Sequence, residues 1–196
     1  MSRSNTVRTR ESRRRLLKAG RALFGEHGFV ATSTPMIAEA AGVSRGALYH
    51  HFEDKAALFA AVVKAEYEHL EKEIDRNILE TTDPLEVLIE GGDNFISAAS
   101  DPITQRILFL EGPTVLTSEG MLTLDSQTTT KSLLEGIEAA QAAGRLPDDI
   151  PSRALASMMS GAYDRAVADG MGACEEERLS IRQAIRCVWF GLSKLA

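Results

Sequence analysis

The stretch from Thr34 to Lys55 constrains the fold most, because it predicts two short helices joined by a tight turn. Thr34 is a favourable N-cap for the first helix, and Pro35 suits the first helical position, where its missing N–H is not needed. Gly42 predicts the end of that helix, since glycine adopts the left-handed backbone conformation at little cost. Ser44 predicts the cap of the second helix. Together these signals indicate a helix-turn-helix, whose second helix can enter the major groove of DNA.

The same stretch carries a longer motif, from Ile37 to Leu58. It reads Ile-Ala-x-x-Ala-Gly-Val-Ser-x-Gly-x-Leu-Tyr-x-His-Phe-x-x-Lys-x-x-Leu, with every fixed position present. This motif resembles the signature of TetR/AcrR-type transcriptional regulators. Beyond this motif, the chain is similar to that family only in its length, its helical character and a C-terminal part that looks suited to dimerisation. The resemblance implies a three-helix DNA-binding head, a helical body that holds a ligand and forms a homodimer, and repression as the usual mode.

Charge is unevenly distributed along the chain. Residues 1–55 contain ten basic and five acidic side chains, a net charge of +5, whereas the whole chain has −6 and the remainder therefore −11. A basic end on an acidic body predicts that the end meets a polyanion. The run Arg13-Arg14-Arg15 can be a solvated helix face or a set of phosphate contacts. Beside a helix-turn-helix, phosphate contact is the favoured interpretation.

Helical spacing of apolar residues continues along the rest of the chain, with no strand-like alternation. The sequence predicts an all-α protein of about nine helices. We expect the polar residues 1–10 to be disordered, the first helix to run from about Glu11 to His27, and Gly28 to stop it. Asp54 can cap a helix reaching about Glu80. The weak helix formers Thr128–Thr130 predict a kink or break in a later helix.

Two domains are expected: a helix-turn-helix domain at 1–55, and a helical domain for ligand binding and dimerisation at 56–196. The last two predicted helices begin near Ser152 and Glu175, and each has an apolar stripe. The family resemblance implies that they pair with their copies in a four-helix bundle. Alternatively, the stripes pack only within one subunit.

The DNA contacts are assigned residue by residue within the helix-turn-helix. Arg45 can grip guanine bidentately, Gly46 allows close approach, and Ala47 can pack against a thymine methyl group. Tyr49 has an apolar ring and a polar tip, so it can contact DNA or belong partly to the core. The residues expected to contact the DNA backbone or to shape the helix starts are Thr34, Pro35, Ser44, Tyr49, His50, His51 and Lys55.

The middle of the chain is the expected sensor, as the family resemblance implies. A pocket among its helices is expected to take a small, apolar effector. Each candidate lining residue can also be ordinary core. The candidates are Phe95, Phe109, Leu116, Met121, Met158 and Tyr163.

Several classes of function find no support in the sequence. No metal-ligand spacing, phosphate-binding loop, nucleophile elbow or carboxylate pair is visible, so we expect no metal, no cofactor and no enzyme activity. His50 and His51 are adjacent on a helix and point about 100° apart, which disfavours a shared metal ion. Cys174 and Cys187 are expected to be small apolar side chains, although a redox role stays open. No apolar run approaches the length of about 20 residues that spans a bilayer, and a cytoplasmic location is expected by default.

The leading hypothesis is a homodimeric repressor that binds double-stranded DNA at a palindromic operator and leaves it when a small molecule binds. The alternative is a ligand-independent architectural DNA-binding protein, which would show a low specificity ratio over random DNA. An enzyme in the helical body is the third hypothesis, and loss of turnover on changing a carboxylate such as Glu111 would revive it.

Overall fold

The computed structural model describes residues 3–76 and 81–196, and every regular element in these ranges is a helix. The predicted all-α class is confirmed. Within these ranges, no helix combines the length and the apolar character that a membrane span requires. In chain order the elements are α1 (Arg3–Ala31), α2 (Thr34–Ala40), α3 (Arg45–His51), α4 (Lys55–Arg76), α5 (Pro84–Ala98), α6 (Pro102–Thr104), the π-helix Gln105–Glu111, α7 (Gly112–Val115), α8 (Thr117–Asp125), α9 (Thr129–Ala142), α10 (Ser152–Gly170) and α11 (Glu175–Ser193).

The described part of the chain has eleven α-helices and one π-helix, more than the nine or so expected. The additional elements arise in residues 102–125, which divide into short pieces. The break expected near Thr128 is confirmed, because α8 ends at Asp125 and α9 begins at Thr129. The expected continuation of α4 to Glu80 falls on residues 77–80, outside the described residues.

Helix α1 begins earlier than the sequence predicted. The backbone is helical from Arg3, so the expectation of disorder over residues 1–10 is wrong for the described part of that segment. Arginine is a good helix former, and its polarity does not oppose a solvated helix. Gly28 interrupts α1 as expected, with φ of 82°.

The structure groups the chain into two compact units, and the grouping differs from the expected boundary at residue 55. The first unit contains Met1–Glu66 and Pro102–Met121, and the second contains Tyr67–Asp101 and Leu122–Ala196. The first unit extends past residue 55 because Glu66 is held inside it. The Glu66 carboxylate is 1% exposed, accepts two bonds from Arg21 at 2.6 and 2.8 Å, and accepts a third from Thr104.

The core of the first unit contains three phenylalanine rings in mutual contact. Phe24 lies 5.0 Å from Phe59 and 5.9 Å from Phe29, and Phe29 lies 5.3 Å from Phe59, between ring centroids. Two of these contacts are edge-to-face, a favourable geometry for aromatic pairs. Leu16 of α1 and Leu48 of α3 are fully buried in the same unit.

The second unit is built mainly from α5, α9, α10 and α11, which pack against one another. Phe95 of α5 contacts Tyr163 of α10 edge-to-face, with centroids 5.9 Å apart. Trp189 of α11 is fully buried, and its Nε1 donates to the Tyr163 hydroxyl at 2.9 Å. These three aromatic residues therefore connect three helices of the unit.

Candidate DNA interface and ligand cavity

The two helices of the helix-turn-helix are set by local capping. The cap of α2 is Ser33, one residue earlier than expected, and its Oγ accepts from the Met36 N–H at 3.4 Å. Gly42 follows α2 with φ of 62°, which glycine adopts more easily than other residues. Ser44 caps α3 as expected, since its Oγ accepts from the Ala47 N–H at 3.1 Å. These contacts fix where the recognition helix α3 begins.

Helix α3 presents one buried side and one exposed side. Leu48 is 0% exposed and fixes the helix on the core. Arg45, Gly46 and His50 are exposed, Ala47 is half-buried, and Tyr49 is 48% exposed. The exposed side therefore carries a guanidinium, an imidazole, a phenol and a position without a side chain.

A hydrogen bond joins the first residue of α2 to the exposed side of α3. The hydroxyl oxygens of Thr34 and Tyr49 lie 3.1 Å apart. Pro35 and Met36, on the first turn of α2, are exposed beside Thr34. Thr34, Pro35 and Tyr49 thus lie close together at the surface. All three are among the residues predicted from the sequence to contact the DNA backbone or to shape the helix starts.

Lys55 has a role that the sequence did not predict. Its Nζ donates to the carbonyl oxygens of Phe29 and Thr32 at 2.8 and 2.9 Å and lies 4.2 Å from the centroid of the Phe29 ring. Two of the three ammonium protons are therefore used to satisfy carbonyls at the end of α1. Where the sequence predicted a phosphate contact, the structure gives Lys55 a capping contact inside the head.

The paired histidines lie at the end of α3. Their ring centroids are 5.5 Å apart, and His51 also lies 6.2 Å from the Phe52 ring. Partial burial lowers the pKa of His51, and the nearby His50 and Arg13 lower it further. In the ranges that the structure describes, no group of three His, Cys, Asp or Glu side chains could hold a metal ion.

The three consecutive arginines of α1 have different environments. Arg14 pairs with Glu11 at 2.7 Å on the surface of its own helix. Arg13 lies 5.1 Å from the centroid of the Phe52 ring, and Arg15 donates to the Gly42 carbonyl at 3.4 Å. All three remain exposed. Two of them therefore place positive charge against the helix-turn-helix.

A cavity of about 170 Å³ lies within the second unit. Its wall is formed by the end of α4 and by α5, α9 and α10. Apolar side chains and glycines form most of the wall, and hydroxyl groups form the remainder. The lining residues are Ile74, Asp75, Val87, Leu88, Gly91, Gly92, Phe95, Thr129, Thr130, Ser132, Leu133, Gly136, Ser160 and Tyr163.

Of the six residues expected to line a pocket, the cavity brings together two, Phe95 and Tyr163. Met158 is 73% exposed and faces away from the cavity wall, because it falls on the outer side of α10. Phe109, Leu116 and Met121 belong to the first unit and do not line this cavity. Helical periodicity marks apolar positions without indicating which of them share a cavity.

A buried carboxylate organises the polar part of the wall. Asp125 is 9% exposed and accepts hydrogen bonds from the hydroxyls of Thr129, Thr130 and Ser160. The Thr130 and Ser160 oxygens are also 2.9 Å apart. The sequence analysis missed this cluster, for which the Thr128–Thr130 run was the only visible signal.

Tyr163 connects the cavity wall to Trp189. Burial raises the pKa of Tyr163 to about 12, despite the hydrogen bond from Trp189, so the phenol stays protonated at neutral pH. A Cβ atom at Gly92 would lie 2.0 Å from the Tyr163 hydroxyl oxygen. Only glycine leaves room for the ring at this position.

The last two helices expose large apolar side chains. Met158 on α10 and four residues on or just after α11 are between 48% and 73% exposed. Met159, Tyr163 and Trp189 on the same two helices are buried. Each helix thus has a second apolar side that faces solvent in the single chain. The exposed residues of α11 and its end are Leu179, Val188, Phe190 and Leu195.

Residues 16–62 match the family model described as bacterial regulatory proteins, tetR family, and residues 85–192 match a tetracyclin repressor-like C-terminal domain. The HTH-type transcriptional regulator AcrR of Shigella flexneri is 30% identical over 82% of this chain and 79% of its own length. The chain belongs to the tetR family of bacterial regulatory proteins.

Solved structures of other proteins share the fold of this chain. GusR of Salmonella enterica is 29% identical, with a TM-score of 0.72 over 93% of this chain and 95% of GusR. A structure of RolR in complex with the ligand resorcinol also has a TM-score of 0.72, over 93% of this chain and 89% of RolR. At 17% identity, the likeness to RolR concerns the fold alone.

For this TetR-family chain, sequence reasoning missed the small residues of the cavity. Gly91 and Gly92 sit inside an apolar helical pattern, where glycine is unfavourable without a packing reason. That signal was available and marks the position where α5 approaches Tyr163. By contrast, no local signal connects Asp125 to Ser160, which lies on another helix.

Proposed function

We propose that this TetR-family chain is a homodimeric transcriptional repressor that binds a palindromic operator and is released by a small molecule. The exposed side of α3 carries this proposal. Its beginning is fixed by Ser44 and its position by Leu48, so that Arg45 and His50 are presented on a rigid support. Rigid placement of a few polar side chains is what base readout in the major groove requires.

Within this interface, we assign the roles by chemistry. Arg45 is the base-reading residue, because a guanidinium matches the two acceptors of guanine. Gly46 and Ala47 allow the helix to approach the base pairs closely. Thr34, Tyr49, His50 and His51 contact phosphates, with Pro35 and Ser44 shaping the helix starts. Lys55 supports this surface by holding the end of α1.

A dimer supplies the second recognition helix that a palindromic operator needs. The exposed apolar side chains of α10 and α11, such as Met158 and Phe190, support pairing through these helices, since apolar area left in water favours association. Two copies of α3 would then meet successive major grooves about 34 Å apart.

The cavity of the second unit is the proposed effector site. It is mostly apolar with a small polar group, as ligand pockets usually are. RolR, which has a similar fold, is known in complex with resorcinol. The effector lowers operator affinity only if it binds more tightly to the conformation that binds DNA poorly.

The test is selection from a random double-stranded DNA library at about 150 mM salt, where nonspecific phosphate attraction is reduced. We expect a single inverted repeat, whose binding Arg45→Ala weakens. Recovery of no motif, with binding that fades uniformly as salt rises, would contradict the proposal and favour an architectural DNA-binding protein.

A further inference from the structure

The Ser and Thr hydroxyl groups on the cavity wall share one property: each donates its proton to a carboxylate. The Tyr163 hydroxyl, also on the wall, accepts from Trp189. Thr129, Thr130 and Ser160 donate to Asp125, Ser160 at 3.1 Å. Ser132 donates to Glu71 at 2.9 Å. These four are the Ser and Thr residues of the described lining. Each has a single proton to donate, and that proton is already used.

A hydroxyl whose proton is committed can still accept, because its oxygen keeps a lone pair. The Ser and Thr side of the cavity therefore offers acceptors to a ligand and withholds donors. A ligand that presents a hydroxyl or amino hydrogen finds a partner there. A ligand that presents only acceptor oxygens meets lone pairs, and the desolvation of its polar group is not repaid.

The charges around the cavity act in the same direction. Asp75 lies on the wall, and Asp125 is buried behind the hydroxyls. Among the described lining residues there is no lysine, arginine or histidine. A negatively charged ligand would be repelled mainly by Asp125, around which water is excluded, and less by Asp75, which is exposed to solvent.

Size and apolar lining limit the rest of the ligand. Leu88, Phe95 and Leu133 offer hydrocarbon surface, and the volume is about 170 Å³. An apolar cavity of about 150 Å³ can hold benzene in another protein. The space therefore suits a single ring, or an aliphatic group of similar size, with a small polar head.

We propose that the cavity selects small, mainly apolar molecules whose polar head donates hydrogen bonds and carries no negative charge. This inference rests on the proposed role of the cavity as effector site and specifies the chemical class of the effector. Alcohols, phenols and amines of one-ring size belong to this class, whereas carboxylic acids of the same size are rejected.

Four probes of similar shape test the proposal: benzyl alcohol, benzylamine, benzoate and toluene. Each is titrated into the full-length protein at neutral pH, with two readouts. Trp189 is the single tryptophan and donates a hydrogen bond to Tyr163 of the cavity wall. Its fluorescence therefore reports whether a ligand occupies the cavity. The melting temperature rises with any ligand that prefers the folded state. We expect the alcohol and the amine to bind at least about 10-fold more tightly than benzoate, with toluene weaker than the alcohol.

Variants separate the contribution of the wall hydroxyls to ligand binding from the contribution of the Asp125 charge. Thr130→Val keeps the side-chain shape but removes an acceptor, and we expect roughly 3- to 10-fold weaker binding of benzyl alcohol with little change for toluene. Thr82→Val makes the same chemical change at an exposed position and should alter neither. Asp125→Asn removes the buried charge, and we expect the preference for benzylamine over benzoate to fall by about 10-fold or more. Asp125 acts here as a positioning residue, and this preference is a readout that loss of stability alone would not change.

The outcomes distinguish this inference from the proposed function. Benzoate binding as tightly as benzyl alcohol, or binding by none of the four probes, would overturn the assigned ligand class. Neither result would affect the operator interface, which is measured separately. If the alcohol occupies the cavity and the operator affinity does not change, the ligand class stands and release by a cavity ligand is contradicted.

Discussion

Two aromatic clusters of this protein are built for different purposes. In the first unit, Phe24, Phe29 and Phe59 contact one another with centroids 5.0 to 5.9 Å apart. In the second unit, Phe95 and Tyr163 make a similar contact at 5.9 Å but border a cavity of about 170 Å³. The first cluster supports a surface of fixed shape, whereas the second leaves space inside the unit.

Buried carboxylates differ between the units in the same manner. Glu66 is matched by the guanidinium of Arg21 and the hydroxyl of Thr104, within the core of the first unit. Asp125 accepts from the hydroxyls of Thr129, Thr130 and Ser160, and all three residues line the cavity. Both carboxylates join helices, but the partners of Glu66 include a guanidinium, whereas the partners of Asp125 are hydroxyl groups that border a cavity.

The largest effect is expected from removing one ring of the phenylalanine cluster in the first unit. Phe59→Ala should lower the free energy of unfolding by about 3–5 kcal/mol, because it leaves a void among well-packed rings. Denaturant unfolding followed by circular dichroism measures this change. Val30→Ala is the control, since Val30 is 90% exposed on α1 and should change stability little. A small effect of Phe59→Ala would show that the first cluster is as loosely packed as the second.

The packing of the Phe95–Tyr163 pair beside the cavity is tested at two neighbouring glycines of α5. Gly92→Ala should lower the free energy of unfolding by about 1–3 kcal/mol, because the new methyl group overlaps the Tyr163 ring. The displaced ring would also break the bond to Trp189 and change its fluorescence. At Gly91 a Cβ atom would lie 3.8 Å from Ile74, an ordinary contact. Gly91→Ala should therefore be neutral or slightly stabilising. Equal effects at both positions would contradict the tight approach of α5 to Tyr163.

A change on the outer surface of the head should affect DNA binding without affecting stability. Arg45→Ala should weaken binding to the selected operator by roughly 10- to 100-fold, because a bidentate base contact contributes about 1–3 kcal/mol of discrimination. Arg153→Ala removes the same charge from an exposed position of α10 and serves as the control. Fluorescence anisotropy with operator and random DNA gives both affinities. If Arg45→Ala weakened both equally, Arg45 would be a phosphate contact.

The smallest expected effect is a pH dependence from His51. Its pKa is lower in the folded protein than its ordinary value of 6.5, so the unfolded chain binds a proton more readily. The free energy of unfolding should therefore fall slightly as the pH is lowered through 6.5. Over the same range, operator binding should tighten, because protonation adds a positive charge at the end of α3. His51→Gln should weaken both trends, and His69→Gln in the second unit should change neither.

The sequence predicted the helix-turn-helix well because its signals are local. Ser44, Gly42 and Asp54 act on backbone groups within a few residues, so their roles can be read without knowing the rest of the fold. The cap of α2 was placed one residue late, at Thr34, because Ser33 and Thr34 are both good caps. Where a contact is local, the sequence was sufficient.

Contacts between distant residues were not predictable in this way. The bonds of Lys55 to the end of α1 join residues 26 and 23 positions apart. Residues 102–121 belong to the first unit through contacts between distant parts of the chain, such as the bond from Thr104 to Glu66, which are 38 positions apart. The cavity depends on small side chains of several helices, and periodicity records only the large apolar ones.

The motif that identifies this family has a consequence for how its members diverge. Six of its thirteen fixed positions, including Ile37, Leu48 and Phe52, are buried in the head, whereas Arg45 and His50 occupy variable positions and face outward. Relatives can therefore exchange the outward residues without rebuilding the domain. With the proposed interface, a few substitutions would change operator preference, and a match to the motif would carry little information about the DNA sequence that is read.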